Sequence, residues 1–172
     1  GPVSIAAKLV GLEDLITALA LGEEEALRLL EFTTELSVAW CTALRGAGLQ
    51  AVVFDSVASP PMVSPLIYSH RMRPLHENVM AALADEGQTE RSLIIGGDTT
   101  LILEDLARTG ATMLICDYAC DAPEFAEALP EDVNPRIRRN VDPALFAKSG
   151  PPLDEPAARL RDELKLFARP IA

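Results

Sequence analysis

The sequence has few cysteines, few aromatic residues and few basic residues, and each shortage excludes a class of protein. Three cysteines in 172 residues are too few, and odd in number, for the disulfide framework of a small secreted domain. Aromatic residues make up only 5%, which leaves few stacking platforms for single-stranded nucleic acid. Lysine and arginine number 15 against 26 aspartate and glutamate, a net charge of −11, so a basic surface for nucleic acid or an anionic membrane is not expected.

Long apolar runs are also missing. Every apolar stretch is interrupted well before the roughly 18 residues that a membrane-spanning helix needs. The opening Gly1-Pro2-Val3-Ser4 lacks the basic start of a signal peptide. The sequence therefore predicts a reduced, cytoplasmic protein with no nucleic-acid or membrane partner. Because no linker rich in glycine or serine divides it, a single domain over residues 1–172 is expected.

The first third of the sequence predicts helices, and the remainder predicts strands that alternate with helices. Apolar residues recur at helical spacing up to Gly22, and a second helix is predicted over about 23–44 with Trp40 packed in the core or between helices. Short β-forming runs follow, each separated from the next by a helical segment, at 51–54, 92–95, 112–115, 136–138 and, cut short, 169–172. This alternation predicts an α/β fold with parallel strands and helical crossovers.

Polar residues follow the predicted strands at the point where each strand ends. They are Asp55, Ser56, Asp98, Asp117, Asn140 and Asp142. Because the carboxyl ends of parallel strands share one edge of a sheet, these side chains are expected to line one pocket. Each residue also has a simpler interpretation as a helix cap or turn residue, since Asp and Ser are favoured there for backbone reasons.

Two further pairs of side chains have chemistry of their own. Cys116 and Cys120 are four residues apart, but further metal ligands are not identified, so buried or loop cysteines are favoured over a metal site. His70 and His76 lie with two arginines on a helix predicted over 65–84. That composition indicates an exposed polar helix face, with a contact to a partner as the less favoured alternative.

A basic cluster at Arg136, Arg138 and Arg139 stands out in an acidic sequence. Arginine pairs with carboxylates in a fork, so the cluster is a candidate for holding a carboxylate-rich ligand. Alternation along a strand instead places Arg136 and Arg138 on one solvent-facing side, and this second interpretation is favoured.

Three segments, in this order, resemble the uroporphyrinogen decarboxylase superfamily. They are the opening residues 1–11, the Gly-Asp-Thr-Thr segment with its Thr-Gly-Ala end at 97–111, and Asn140-Val141-Asp142-Pro143. The resemblance covers almost the whole chain but only the later part of the family's TIM-type (β/α) barrel, which is about twice as long. It implies a partial barrel of about five parallel strands, with the pocket at their carboxyl ends.

The resemblance implies an enzyme, with decarboxylase activity as the first hypothesis. Such a protein removes carboxyl groups from a carboxylate-rich tetrapyrrole in porphyrin and haem biosynthesis, as a lyase that needs no metal and no cofactor. Ser56 matches a serine that contacts substrate in the family. The substrate-binding residues expected here are Asp55, Ser56, Asp98, Asp117 and Asn140. The sequence assigns no catalytic residue and no metal ligand.

Two alternatives stay open. A corrinoid-linked methyltransferase of the same superfamily would act on a methyl donor with a corrinoid protein as partner, and usually with zinc. Ile94 and Gly96 stand where that branch carries His and Cys, so two zinc ligands are missing. The other alternative is a degenerate, non-catalytic half barrel that binds a ligand or a partner chain. In every case an open sheet is expected to be covered, by a homo-oligomer or by an N-terminal half outside this sequence.

Overall fold

The computed structural model describes residues 1–144 and 154–167 of the chain. The strands are Val52–Phe54 (β1), Ser92–Ile94 (β2), Met113–Cys116 (β3) and Arg136–Arg139 (β4). The helices are Pro2–Val10 (α1), Leu12–Leu21 (α2), Glu24–Gly46 (α3), Pro65–Ile67 (α4), Arg73–Asp85 (α5), Leu103–Ala107 (α6), Ala122–Ala128 (α7) and Asp154–Lys165 (α8). No helix in these ranges is both long and apolar enough to cross a membrane.

The strands form one parallel sheet in the order β1-β2-β3-β4. Val53, Leu93 and Leu114 align across the first three strands and are buried among the helices. On the opposite face of β1, Val52 and Phe54 are 56% and 54% exposed. A parallel sheet covered on one face is the geometry of an incomplete barrel, so the predicted α/β partial barrel is confirmed. The further strand predicted at 169–172 lies outside the described residues.

Helix α3 buries a narrow face of small residues against α1 and α5. That face includes Thr33, Thr34 and Ser37, whose hydroxyls donate hydrogen bonds to carbonyls of their own helix. The expectation that Trp40 packs in the core is wrong, because its side chain is 66% exposed. Trp40 neighbours the buried Cys41 in sequence but points about 100° away around the helix axis, beyond the face that α1 and α5 cover.

Helices α4 and α5 are joined by a π-helical segment, Tyr68–Met72, which the sequence pattern did not reveal. In a regular α-helix, Tyr68 and His76 would point about 80° apart. One extra residue in a π turn reduces that difference to about 20°, so both side chains face the core. The predicted polar face is therefore wrong for His76, which is fully buried, whereas His70 is exposed.

Candidate functional site

The carboxyl edge of the sheet gathers the polar residues that follow the strands. Asp55 comes directly after β1, Asp117 directly after β3 and Asn140 directly after β4, while Asp98 lies in the loop that follows β2. Because all four strands are parallel, these residues share one end of the sheet, as predicted. Together with Asp142, which follows Asn140 by two residues, they divide by their contacts into a central pair, two turn residues and one buried anchor.

Asp117 and Asn140 form the central pair. The Asn140 side-chain amide donates to Asp117 Oδ2 at 2.9 Å, and the Ala119 backbone N–H donates to Asp117 Oδ1 at 3.0 Å. Asp117 is only 7% exposed. A Cβ atom placed on Gly96 would lie 3.7 Å from Asp117 Oδ2, so the chain after β2 borders this carboxylate without crowding it. The structure thus presents an oriented carboxylate next to the backbone of Gly96, which has no side chain.

Asp98 and Asp142 have the geometry of turn residues. Asp98 is exposed and accepts a hydrogen bond from the Thr100 backbone N–H at 3.1 Å. Asp142 accepts one from the Ala144 backbone N–H at 2.8 Å. Ser56 is exposed at the same edge. Asp98 and Ser56 are open to a ligand, and their substrate-binding role stays a prediction.

Asp55 is fully buried and anchors the opening helix. Its carboxylate accepts hydrogen bonds from the Val3 and Ser4 backbone N–H groups at 3.1 and 2.6 Å, which caps the N-terminus of α1. A Cβ atom on Gly1 would lie 2.6 Å from Asp55 Oδ2, so only glycine fits there. Since Asp55 is fully enclosed and its carboxylate already meets three donors of the protein, this geometry favours a positioning role for Asp55 over the predicted direct contact with substrate.

A buried chain of hydrogen bonds extends from Asp55 into the core. His76 Nε2 lies 2.9 Å from Asp55 Oδ2, and Tyr68 Oη lies 3.0 Å from His76 Nδ1. Because a carboxylate oxygen only accepts, His76 Nε2 carries the proton of its hydrogen bond to Asp55. Burial acts to raise the pKa of Asp55, but the hydrogen bonds and positive charges around the carboxylate, those of His76 foremost, together outweigh burial and hold that pKa below its usual value. Burial and the Asp55 charge raise the pKa of Tyr68.

Sequence reasoning missed this network because the signal is weak. A histidine eight residues after a tyrosine does not share a helix face with it unless the helix contains an extra residue. Gly1 belongs to the family pattern of the opening segment. The structure explains why glycine stands there, because Asp55 approaches it too closely for a side chain.

Arg139 clamps the loop after β3. Its side chain is 5% exposed and forms an ion pair with Glu163 of α8 at 2.8 Å. The guanidinium also donates to the backbone carbonyls of Cys116, Asp117 and Cys120. One side chain therefore fixes the turn that carries Asp117 and ties it to α8.

The other two arginines of the basic cluster lie on the solvent side, as favoured from the sequence. Arg136 and Arg138 are both exposed, and Arg136 pairs with Glu90 at 2.6 Å. Arg138 lies in register with Ile115 of β3. It therefore occupies the sheet face that the helices leave open, at the end nearest the polar residues.

A cavity of about 200 Å³ opens beside the central pair. Its lining includes Tyr118, Arg139, Asn140, Arg159 and Glu163. That volume is below the roughly 300–1,000 Å³ of sites that enclose a drug-sized ligand. The cavity is therefore small for a ligand of that size, and its lining carries charges of both signs.

The site does not fit the zinc centre that the methyltransferase branch implies. Within residues 1–144 and 154–167, no three His, Cys, Asp or Glu side chains are grouped so that they could hold a metal ion. Ile94 and Gly96, at the end of β2, carry no donor atoms in their side chains. The donor chemistry of this edge therefore suits hydrogen bonding rather than zinc binding.

Comparison with a solved structure supports the barrel assignment. A methyltransferase from Methanosarcina mazei superposes with a TM-score of 0.82 at 22% sequence identity. The match covers 96% of this chain and 48% of the methyltransferase. At this identity the likeness concerns the fold, and the chain spans about half of that structure.

Sequence comparisons identify the family. The family model described as Uroporphyrinogen decarboxylase (URO-D) matches residues 1–165. A uroporphyrinogen decarboxylase from Prochlorococcus marinus (strain MIT 9211) is 29% identical over 135 residues, which is 77% of this chain and 37% of the relative. Another, from strain MIT 9515, is 33% identical over 102 residues, 58% of this chain and 28% of the relative. The chain, which spans about a third of the length of these relatives, belongs to the uroporphyrinogen decarboxylase family.

Proposed function

We propose that this chain forms the substrate-binding wall of a decarboxylase that acts on a carboxylate-rich tetrapyrrole without a metal ion. The observation that carries the proposal is the Asp117 carboxylate, fixed by Asn140 and a backbone N–H at the carboxyl edge of the sheet. Decarboxylase relatives and the missing zinc ligands at Ile94 and Gly96 support it.

The chemistry needs a fixed negative charge next to the ring. When an acetate group of a porphyrinogen loses its carboxyl group as CO₂, the carbon–carbon bonding electrons move into a pyrrole ring that has gained a proton. The remaining carbon then takes up a proton to become a methyl group, and the ring releases the proton that it had gained. A fixed carboxylate accepts hydrogen bonds from pyrrole N–H groups and stabilises the positive charge of the protonated ring. Asp117 meets this requirement because Asn140 and Ala119 orient it before any ligand arrives.

The carboxylate groups of the ligand need a cation, and Arg138 is placed to supply it. Arg138 aligns with Ile115 of β3, and Ile94 of β2 aligns with Phe54 of β1. This row on the open face of the sheet is apolar apart from Arg138. Such a surface suits a macrocycle of pyrrole rings with acidic side chains, since the pyrroles cover the apolar residues and a carboxylate meets the guanidinium.

Turnover of uroporphyrinogen tests the proposal. The native protein is incubated anaerobically with uroporphyrinogen, and the products are oxidised to porphyrins and separated by carboxyl number. We expect products with fewer carboxyl groups, whose formation is lost on heating the protein. Unchanged uroporphyrinogen, at protein concentrations equal to the substrate, would contradict decarboxylation and favour the non-catalytic half barrel.

The second candidate is a methyltransferase, because the sequence Thr-Thr-Leu-Ile-Leu at 99–103 resembles that branch more closely. A measurement of bound zinc distinguishes it from the metal-free decarboxylase. After dialysis against zinc and removal of excess metal, we expect far less than one ion per chain, because the described residues of this edge offer no grouped ligands. Stoichiometric, tightly bound zinc that is lost in Asp98→Ala would overturn the metal-free proposal.

A further inference from the structure

Cys116 and Cys120 stand on either side of the turn that carries Asp117. Cys116 ends β3 and Cys120 follows after a tight turn, closed by a 2.9 Å hydrogen bond from the Cys120 backbone N–H to the Asp117 carbonyl. Both cysteines are free and buried, at 0% and 4% exposure. The Cys120 thiol donates to the Gly97 carbonyl at 3.4 Å. The pair therefore flanks the turn that carries Asp117.

Arg139 provides the positive charge that a reactive thiol pair needs. Its Nη1 lies 3.3 Å from Cys116 Sγ, while the rest of the guanidinium holds the backbone of the same turn. A cation this close to Cys116 Sγ opposes binding of a metal ion and helps Cys116 to lose its proton when it attacks an oxidised Cys120. The geometry thus favours thiol oxidation over metal binding.

The two thiols differ in acidity. A hydrogen bond from Cys116, partly offset by burial, lowers the pKa of Cys120 to about 7. The same hydrogen bond and burial raise the pKa of Cys116. Of the two thiols, Cys120 borders an open groove and has the lowered pKa, so it is the nucleophile of the pair. Such an arrangement, a low-pKa thiol beside a second thiol, is typical of a redox-sensitive pair.

We propose that Cys116 and Cys120 form a reversible intrachain disulfide when the protein meets hydrogen peroxide. The Cys120 thiolate attacks one peroxide oxygen, the O–O bond breaks, and Cys120 becomes a sulfenic acid with release of hydroxide. Cys116 sulfur then attacks the sulfenic sulfur, and the hydroxyl group leaves as water with the proton of Cys116. Two thiols are oxidised and one peroxide is reduced to water.

The surroundings provide a route for a small oxidant. Cys120 borders an open groove between α7 and α8, whose lining includes Ala119, Asp121, Pro123 and Asp162. A disulfide between Cys116 and Cys120 closes a short ring that contains Asp117, so oxidation constrains the backbone of the residue that Asn140 orients. Because the ring is short, it removes little chain entropy, which keeps the disulfide reducible.

Peptide mapping of the full chain tests the proposal. The reduced protein is treated with hydrogen peroxide, quenched by alkylation without reductant, and digested with trypsin. We expect peptide 109–136 to lose the mass of two hydrogens and to escape alkylation, while peptide 29–45, which carries Cys41, is alkylated. Dithiothreitol should restore both thiols.

Two variants give matched controls. Cys41→Ser should react as the wild type does. Cys116→Ser lacks the resolving thiol, so Cys120 should accumulate as a sulfenic acid that dimedone traps. Alkylation of all three cysteines in the peroxide-treated wild type, or a bond from Cys41 to either member of the pair, would overturn the proposal. The peptide map of the peroxide-treated wild type tests the proposal even if Cys116→Ser does not fold.

Discussion

Replacing Asp55 by alanine is expected to lower the free energy of unfolding by about 3–5 kcal/mol, the usual cost of breaking a buried, charged network. The substitution leaves the Val3 and Ser4 N–H groups without their acceptor and His76 without its partner. Urea unfolding measures the change. Asp98→Ala is the matched control, because it removes an exposed carboxylate with one backbone hydrogen bond and should cost about 1 kcal/mol.

The Asp55 contribution should also depend on pH. Because the pKa of Asp55 is lowered on folding, the folded state binds fewer protons at this group than the unfolded state does. Its stabilisation is therefore fully present above the unfolded value of about 3.9 and is lost as pH falls through the lower folded value. Asp55→Asn should flatten this part of the stability profile. Equal losses in Asp55→Ala and Asp98→Ala would contradict the anchor role.

The isolated 172-residue chain is expected to self-associate or to be partly unfolded. Val52 and Phe54 expose one face of β1, and β1 is an edge of the described sheet. On α3, Phe32, Leu36 and Trp40 form an exposed stripe at intervals of one helical turn, with exposures of 56%, 46% and 66%. Contiguous apolar surface of this kind drives association, and an open parallel edge recruits another strand.

Light scattering with a thermal melt measures this behaviour. We expect a mass above 18.5 kDa or a melt without a sharp transition. Trp40→Ser should reduce association, whereas Leu101→Ser, at an exposed site away from α3 and β1, should leave it unchanged. A monomer of 18.5 kDa with one cooperative transition would show that the exposed face needs no cover.

The backbone pattern of the fold could be predicted from the sequence because short-range signals dominate it. Runs of β-forming residues closed by polar residues give strands that end where Asp55, Asp117 and Asn140 begin the loops. Parallel pairing then places those residues at one edge without further information. The location of the candidate site follows from topology alone.

Side-chain surroundings could not be predicted, because they depend on what packs against each element. An aromatic residue such as Trp40 is normally buried, but a helix at the boundary of an incomplete barrel has an uncovered side. His76 reaches the core only because a π segment shifts the helix face. The buried contacts of Arg139 could be predicted only from the position of α8, which the alternation of strands and helices does not specify.

The proposed function depends on the Asp117–Asn140 pair as a tetrapyrrole contact, and a binding titration tests that most directly. Uroporphyrin, which keeps pyrrole N–H donors and is fluorescent, is titrated into the native protein, Asp117→Asn and Asp98→Asn. The account predicts saturable binding that weakens at least about tenfold in Asp117→Asn, the value of one charge-assisted hydrogen bond, and changes little in Asp98→Asn. Equal affinity in Asp117→Asn and the native protein, or no saturable binding at all, would contradict it.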